Sequence, residues 1–307
     1  MKIAIIGTGA MGSLYGAKLS VNSENEVHLL DVWKDHIDAI NANGLKMEEG
    51  DDVLVYENLK GHTSAEEAGV CDLVIVFVKS TLTKTAVESN AAVFGPNTIA
   101  LTLQNGLGNI EQISSVIGAE RVIAGTTAHG ATMLSPGKMR HAGKGKTIIG
   151  ELDGSESGRI KKIAAVLEDA GMETAVSGKV LGLVWDKLLI NVGINALTGI
   201  TQLHNGQLLD YPEIEELLEK AVSEGVAVAK AKGIALGFDN PVEHTKDVCR
   251  ATAANKSSML QDILNGRKTE IDMMNGAIVC EGKAMGIETP VNLALTNIIT
   301  FISREQK

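Results

Sequence analysis

The chain has 307 residues, 44% of them apolar and 21% charged, with a formal net charge of −10. The length exceeds the usual single-domain range and predicts two domains, each with a sizeable core. The acidic balance excludes a nucleic-acid or anionic-membrane binder, because both depend on a basic face; no apolar run reaches the roughly eighteen residues that span a bilayer; and three scattered cysteines, Cys71, Cys249 and Cys280, make neither a disulfide framework nor a zinc site.

The N-terminus enters a strand directly, without a charged segment, an h-region or a cleavage site, so a cytoplasmic location is expected. The apolar run Ile3 to Ile6 leads straight into Gly7-x-Gly9-x-x-Gly12. A buried parallel strand needs Gly7 for the tight bend. Gly9 lets the backbone approach a pyrophosphate, and Gly12 lets the following helix pack against the strand. An amphipathic helix follows (Met11, Leu14, Tyr15, Leu19), so Gly7, Thr8, Gly9, Ala10, Met11 and Gly12 read as a dinucleotide clamp whose helix N-terminus faces the phosphates. The competing reading is a glycine-rich turn without a ligand.

Asp31 closes the second strand, where a carboxylate accepts hydrogen bonds from adenosine ribose hydroxyls and repels a 2′-phosphate. NADH is therefore favoured over NADPH. Asp31 also suits a cap for the helix beginning near Trp33.

Strands are predicted at 2–6, 26–31, 45–48, 53–57, 73–78, 98–102 and 121–126, with helices near 10–21, 33–43, 80–93 and 108–117. Such alternation predicts a parallel, doubly wound α/β sheet. From about residue 127, Gly130, Pro136-Gly137, Gly143 and Gly145 punctuate short runs ending at Gly150, which read as antiparallel strands added to the edge of that sheet. A helix at 159–170 and a strand at 173–176 complete a dinucleotide-binding domain of residues 1–177. Residues 178–307 then carry helical period throughout, at 179–200, 212–233, 241–254, 258–265, 269–286 and 291–303. This all-helical domain is expected to bind substrate and to mediate dimerisation, a homodimer being the base-rate expectation. Open α/β sheets bind ligands beyond their strand C-termini, which makes the cleft between the domains the expected active site.

Lys187, Asn191 and Asn195 are four residues apart on one helix, drift about 40° per step, and form a polar stripe on an otherwise apolar surface. A carboxylate- and carbonyl-bearing ligand would satisfy them. An inter-domain hydrogen-bond ladder, or Lys187 reaching to solvent, would do so equally well. Ser258 stands at a helix start, where its hydroxyl suits an N-cap, and Glu270 near the start of the next helix suits a first-turn acid. His129 and His141 fall in the strand-turn region with no acid at a diagnostic spacing. No His, Cys and Asp set has metal-ligand spacing, so no metal is expected.

Gly7-x-Gly9-x-x-Gly12, Phe77-Val78-Lys79, Gln104-Asn105-Gly106, Trp185-x-Lys187-x-x-x-Asn191-x-x-x-Asn195, and Ser258-Met-Leu-Gln-Asp with Thr269-Glu270-Ile-Asp272 occur in this order. Together they closely resemble the ketopantoate reductase (2-dehydropantoate 2-reductase) family, from Met1 to about Thr300. The resemblance implies an N-terminal Rossmann domain, an all-helical C-terminal domain like that of 6-phosphogluconate dehydrogenase, and hydride transfer from NAD(P)H to the C2 carbonyl of a small 2-oxo acid. Position by position, it makes Lys187 the acid that protonates the carbonyl oxygen and Glu270 its acidic partner. Asn105, Asn191, Asn195 and Ser258 become substrate-binding residues. Lys79 touches cofactor and substrate, and Asn105 also borders the cofactor. Asp31-Val32-Trp33 departs from the basic residue that most members carry there, and looks more like the NAD-dependent D-2-hydroxyacid dehydrogenase branch, which includes D-mandelate dehydrogenase. A polyol-phosphate or 6-phosphogluconate-type dehydrogenase would need a cationic phosphate site that these motifs do not offer. A non-enzymatic NAD-sensing protein would keep the clamp but has no need of Lys187 together with Glu270.

Overall fold

The computed structural model describes residues 1–305. The chain divides into two compact units: Met1–Gln104 with Asn109–Val180, and Asn105–Gly108 with the segment from Leu181 onward.

The first unit runs β1 (Lys2–Ile6), α1 (Ala10–Leu19), β2 (Glu26–Leu30), α2 (Lys34–Asn43), β3 (Leu45–Glu49), β4 (Asp52–Tyr56), β5 (Lys60–His62), α3 (Ala65–Ala68), β6 (Cys71–Val76), α4 (Thr83–Ser89), β7 (Phe94–Thr102), α5 (Asn109–Ile117), β8 (Val122–Thr127), β9 (Gly130–Ser135), β10 (Lys138–Gly143), β11 (Thr147–Glu151), α6 (Gly158–Asp169) and β12 (Thr174–Val176). Eight strands form one sheet in the order β12-β11-β8-β7-β6-β1-β2-β5. It is parallel except where β11 runs against β8. The two-residue period of the strands explains why this sheet is buried on both faces. Ile3, Ile5, Leu73 and Ile75 join a core with Leu14 and Tyr15 of α1 and Ile160 and Leu167 of α6. The intervening Ala4, Ile6, Val74 and Val76 join a second core with Val87 of α4 and Ile113 and Ile117 of α5. This is the doubly wound Rossmann arrangement.

The structure corrects three local expectations here. Only β11 adds an antiparallel strand to the large sheet; β9 and β10, together with the strands expected at 45–48 and 53–57 in the parallel sheet, form a separate four-stranded sheet, β4-β3-β10-β9, in which β3 and β4 pair antiparallel. The hairpin at Pro136-Gly137 was readable locally, but the parallel pairing of β10 with β3, Met139 opposite Met47, spans the chain. The helix expected over 80–93 is α4 alone, flanked by 3₁₀ turns at Ser80–Leu82 and Ala91–Val93.

The second unit contains α7 (Val180–Thr201), α8 (Pro212–Ala231), α9 (Pro241–Ala251), α10 (Ser258–Leu264), α11 (Asn275–Met285) and α12 (Pro290–Glu305). Its core gathers Leu188, Leu189, Val192 and Leu197 of α7 with Leu218 and Val222 of α8, Ile278 of α11 and Leu295 and Ile299 of α12. Against the expectation that no run could span a bilayer, α7 is long and apolar enough to cross one by length and composition, its few polar residues being spread along 22 residues, but 67% of its most apolar window is buried inside the fold. Its apolarity is that of a core helix. The helix expected from 269 begins only at Asn275, after a 3₁₀ turn at Ile271–Met273.

Candidate active site

Gly7 follows β1 with φ +89°, and its amide donates to the Leu30 carbonyl at 2.9 Å. A β-carbon at Gly7 would stand 2.5 Å from the Val78 amide nitrogen, and one at Gly12 would stand 2.0 Å from the Gly7 carbonyl oxygen. Both positions require glycine for packing. Gly9 differs: it is exposed, it caps α1 with no side-chain hydrogen bond, and a β-carbon there would meet no heavy atom within 4 Å. Open space therefore lies beside the uncapped first-turn amides of α1, at its positive end, and these residues fit a dinucleotide pyrophosphate.

Asp31 makes no side-chain cap to α2, whose N-cap is Trp33, and ties the end of β2 to the loops on either side of it. Its Oδ2 accepts the Thr8 amide at 2.6 Å and the Thr8 hydroxyl at 3.1 Å, while Oδ1 accepts the amide of Trp33, the residue preceding α2, at 2.9 Å. A positioning chain that the motifs did not reveal backs the loop. Gly137 N–H donates to His36 Nδ1 at 3.0 Å, which leaves the ring hydrogen on Nε2, 3.2 Å from Ser13 Oγ. Ser13 in turn donates to the Thr8 carbonyl at 2.8 Å. Burial holds the His36 imidazole below its ordinary pKa, so the chain is neutral.

Lys79 is half-buried and precedes the 3₁₀ turn Ser80–Leu82. Gln104 braces the same loop, its side-chain amide donating to the Val78 carbonyl at 2.7 Å and to Thr83 Oγ1 at 2.8 Å. The expected motif Gln104-Asn105-Gly106 splits here between the units: Gln104 belongs to the first and Asn105 to the second, where Leu107 N–H donates to the Met273 carbonyl at 2.9 Å.

In the second unit α7 presents Lys187, Asn191 and Asn195. Burial pushes the Lys187 ammonium down to about 8, and the Glu270 carboxylate opposes that shift. Lys187 as a whole residue is half-buried. Asn191 Nδ2 is buried and has no protein partner, a cost of about 1–3 kcal/mol for a polar group left unpaired. Asn195, 4% exposed, donates to Ser258 Oγ at 3.3 Å and to Met274 Sδ at 3.4 Å, so these two predicted residues meet.

Ser258 is not the N-cap it resembled. The cap of α10 is Ser257, whose hydroxyl accepts Leu260 N–H at 3.1 Å and Thr198 Oγ1–H at 2.7 Å, leaving the Ser258 hydroxyl to face Asn195. Glu270, likewise, is not in the first turn of an α-helix: it precedes the 3₁₀ turn, and its carbonyl accepts Met273 N–H at 3.0 Å.

His129 and His141, for which no acid was visible in sequence, lie 3.1 Å apart, with Glu49 3.7 Å from His141 Nδ1. They line a cavity of about 260 Å³ with Lys18 and Lys144. Both lysines bind Glu49, at 3.0 and 2.6 Å, and hold its carboxyl at about 2. Glu49 and His141 of this cluster sit on the first unit's second sheet, and Lys18 reaches it from the last turn of α1. Among the described residues, no three His, Cys, Asp or Glu side chains converge as a metal site.

A dinucleotide clamp on a doubly wound sheet, with a half-buried lysine, asparagines and a glutamate on an all-helical unit, defines a nicotinamide-dependent oxidoreductase of Rossmann-plus-helical architecture. The family model described as ketopantoate reductase PanE/ApbA matches residues 3–154, and that for its C-terminal domain matches residues 179–303. The chain belongs to the ketopantoate reductase family, whose members are NAD(P)H-dependent oxidoreductases. It is 36% identical to a 2-dehydropantoate 2-reductase of Halobacterium salinarum over 99% of this chain and 100% of that protein. A PanE/ApbA family ketopantoate reductase from Ralstonia eutropha superposes with a TM-score of 0.92 at 32% identity, covering 100% of this chain and 99% of that one. D-mandelate dehydrogenase with NADH and anilino(oxo)acetate does so with a TM-score of 0.93 at 28% identity, over 100% and 99% of the two chains.

Proposed function

We propose that this protein is a 2-dehydropantoate 2-reductase, reducing the C2 ketone of ketopantoate to (R)-pantoate in pantothenate biosynthesis. The observation that carries the reading is the polar stripe of Lys187, Asn191 and Asn195 on the apolar helix α7, with Asn195 meeting Ser258 and the Asn191 side-chain nitrogen unpartnered. When bound, the reduced nicotinamide supplies the hydride. Lys187 polarises the carbonyl and protonates its oxygen as negative charge develops there, because an alkoxide is far more basic than a partly desolvated lysine. Glu270 keeps that lysine charged at neutral pH and orients it. The unpartnered Asn191 amide offers a donor to substrate oxygen, with Asn195, Ser258 and Asn105 as further polar contacts and Lys79 serving cofactor and oxo acid. Residues 1–177 bind the cofactor, through Gly7 to Gly12, Asp31, Lys79 and Asn105; residues 178–307 bind substrate and form a homodimer. A cytoplasmic location, where nicotinamide and reduced thiols coexist, suits the three free cysteines.

NADH is the preferred coenzyme in this reading, since Asp31 stands where a 2′-phosphate would need a cation. That feature also supports a second reading, an NAD-dependent D-2-hydroxyacid dehydrogenase for another branched 2-oxo acid, which the likeness to D-mandelate dehydrogenase favours. Initial rates on ketopantoate and on benzoylformate, each with NADH and NADPH, separate them. Ketopantoate turnover upholds the first reading, and selective benzoylformate turnover with NADH replaces it with the second. No rate on either substrate refutes the substrate class.

A further inference from the structure

Trp33 is 39% exposed although one face of its indole is covered: it stacks on His36 with ring centroids 5.0 Å apart and planes 13° from parallel. His36 is itself fully buried and fixed by Gly137 and Ser13, which makes the stack a rigid, neutral platform instead of a swinging surface side chain. The Trp33 amide is tied to Asp31 Oδ1 at 2.9 Å. A carboxylate accepts about four hydrogen bonds. Thr8 takes two of them at Oδ2 and Trp33 one at Oδ1, so the acceptor site left for a ribose hydroxyl is on the oxygen that holds Trp33. An adenosine whose ribose took that site would lie on the same loop as the indole, Asp31 and Trp33 being two residues apart.

We propose that Trp33 is the adenine-stacking residue of the dinucleotide site, its outer face receiving the purine while His36 supports the inner one. The proposal rests on the dinucleotide reading above and adds a residue that makes the enzyme depend on the adenosine half of its coenzyme. Base–aromatic stacking is worth about one to two orders of magnitude in affinity and needs only a flat π-face.

The test measures dissociation constants of NADH and of ADP-ribose, and kcat/KM with NADH and with reduced nicotinamide mononucleotide, which lacks the adenosine. The wild type is compared with Trp33→Ala and Trp33→Phe, thermal melts being taken for each. Trp33→Ala should weaken NADH and ADP-ribose alike by about tenfold and shrink the NADH:mononucleotide ratio of kcat/KM by the same factor, whereas Trp33→Phe should recover most of both. If Trp33→Ala lowers mononucleotide and NADH turnover equally, or if Trp33→Phe fails as badly as alanine at an unchanged melting temperature, the residue is only a structural support for α2 and the proposal falls. A wild type that binds neither NADH nor NADPH would instead remove the dinucleotide reading on which the proposal stands.

Discussion

The Asp31 carboxylate accepts the Thr8 amide at 2.6 Å and so joins the end of β2 to the glycine loop. One side chain thereby shapes the phosphate loop and presents negative charge where the coenzyme's ribose is expected. Replacing Asp31 with Asn keeps an acceptor for Thr8 while removing the charge. The NADH:NADPH ratio of kcat/KM should fall by about tenfold, an interaction of roughly 1.4 kcal/mol. A ratio unchanged within twofold would show that Asp31 does not set the preference.

The glycines of the loop separate folding from binding. Gly9→Ala meets no neighbouring atom in the protein, so its melting temperature should stay within about 1 °C of wild type while NADH affinity falls by tenfold or more. Gly12→Ala, with its β-carbon 2.0 Å from the Gly7 carbonyl, should lose stability as well, by about 1–3 kcal/mol. Parallel melts and NADH titrations check both. Normal NADH binding by Gly9→Ala would place the pyrophosphate elsewhere.

Lys187→Met should lower kcat/KM for ketone reduction by about 10²- to 10⁴-fold, the usual share of a general acid, with NADH affinity unchanged within about twofold. Its melting temperature should not drop. Burial has pushed the ammonium from its ordinary value to about 8, so below pH 8 the fold bears the cost of a desolvated charge, a cost relieved between pH 8 and 10.5 as the amine deprotonates. Methionine removes that cost at every pH. A steep loss of stability would mean that Lys187 is a structural residue.

The reductive rate needs the ammonium, so kcat/KM for reduction should decline as pH rises through about 8, and the oxidative rate, which needs the free amine, should climb through the same value. Glu270 opposes the depression of the lysine pKa. Glu270→Gln should therefore move both limbs to lower pH. Limbs that stay in place would uncouple Glu270 from the acid.

Asn191→Ala discards a side-chain nitrogen that no protein atom uses. The KM for the oxo acid should rise about tenfold or more, while stability should not fall, since the cost of the unpaired nitrogen is removed with it. Asn195→Ala breaks bonds to Ser258 and Met274 and should cost stability as well as affinity. Steady-state kinetics beside thermal melts distinguish the two asparagines.

The strand-loop-helix of residues 2–19, the Lys187–Asn191–Asn195 stripe and the six helices of the second unit were legible in sequence because each is set by local periodicity and glycine placement, which short-range sterics enforce. The family motifs added Glu270, Ser258 and Asn105, which spacing alone could not promote over a cap or a loop residue. Only the tertiary structure decided which hydroxyl caps α10, that β10 pairs with β3, that His36 and Ser13 brace the glycine loop, and that Glu49 stands beside His141. Each of these joins groups that are neighbours in space through backbone pairing or burial, and no local pattern fixes such partners. The same holds for the Lys187 charge: the sequence supplied the amine, but the packing that removes water lowers its pKa to about 8 against the opposing pull of a carboxylate on another element.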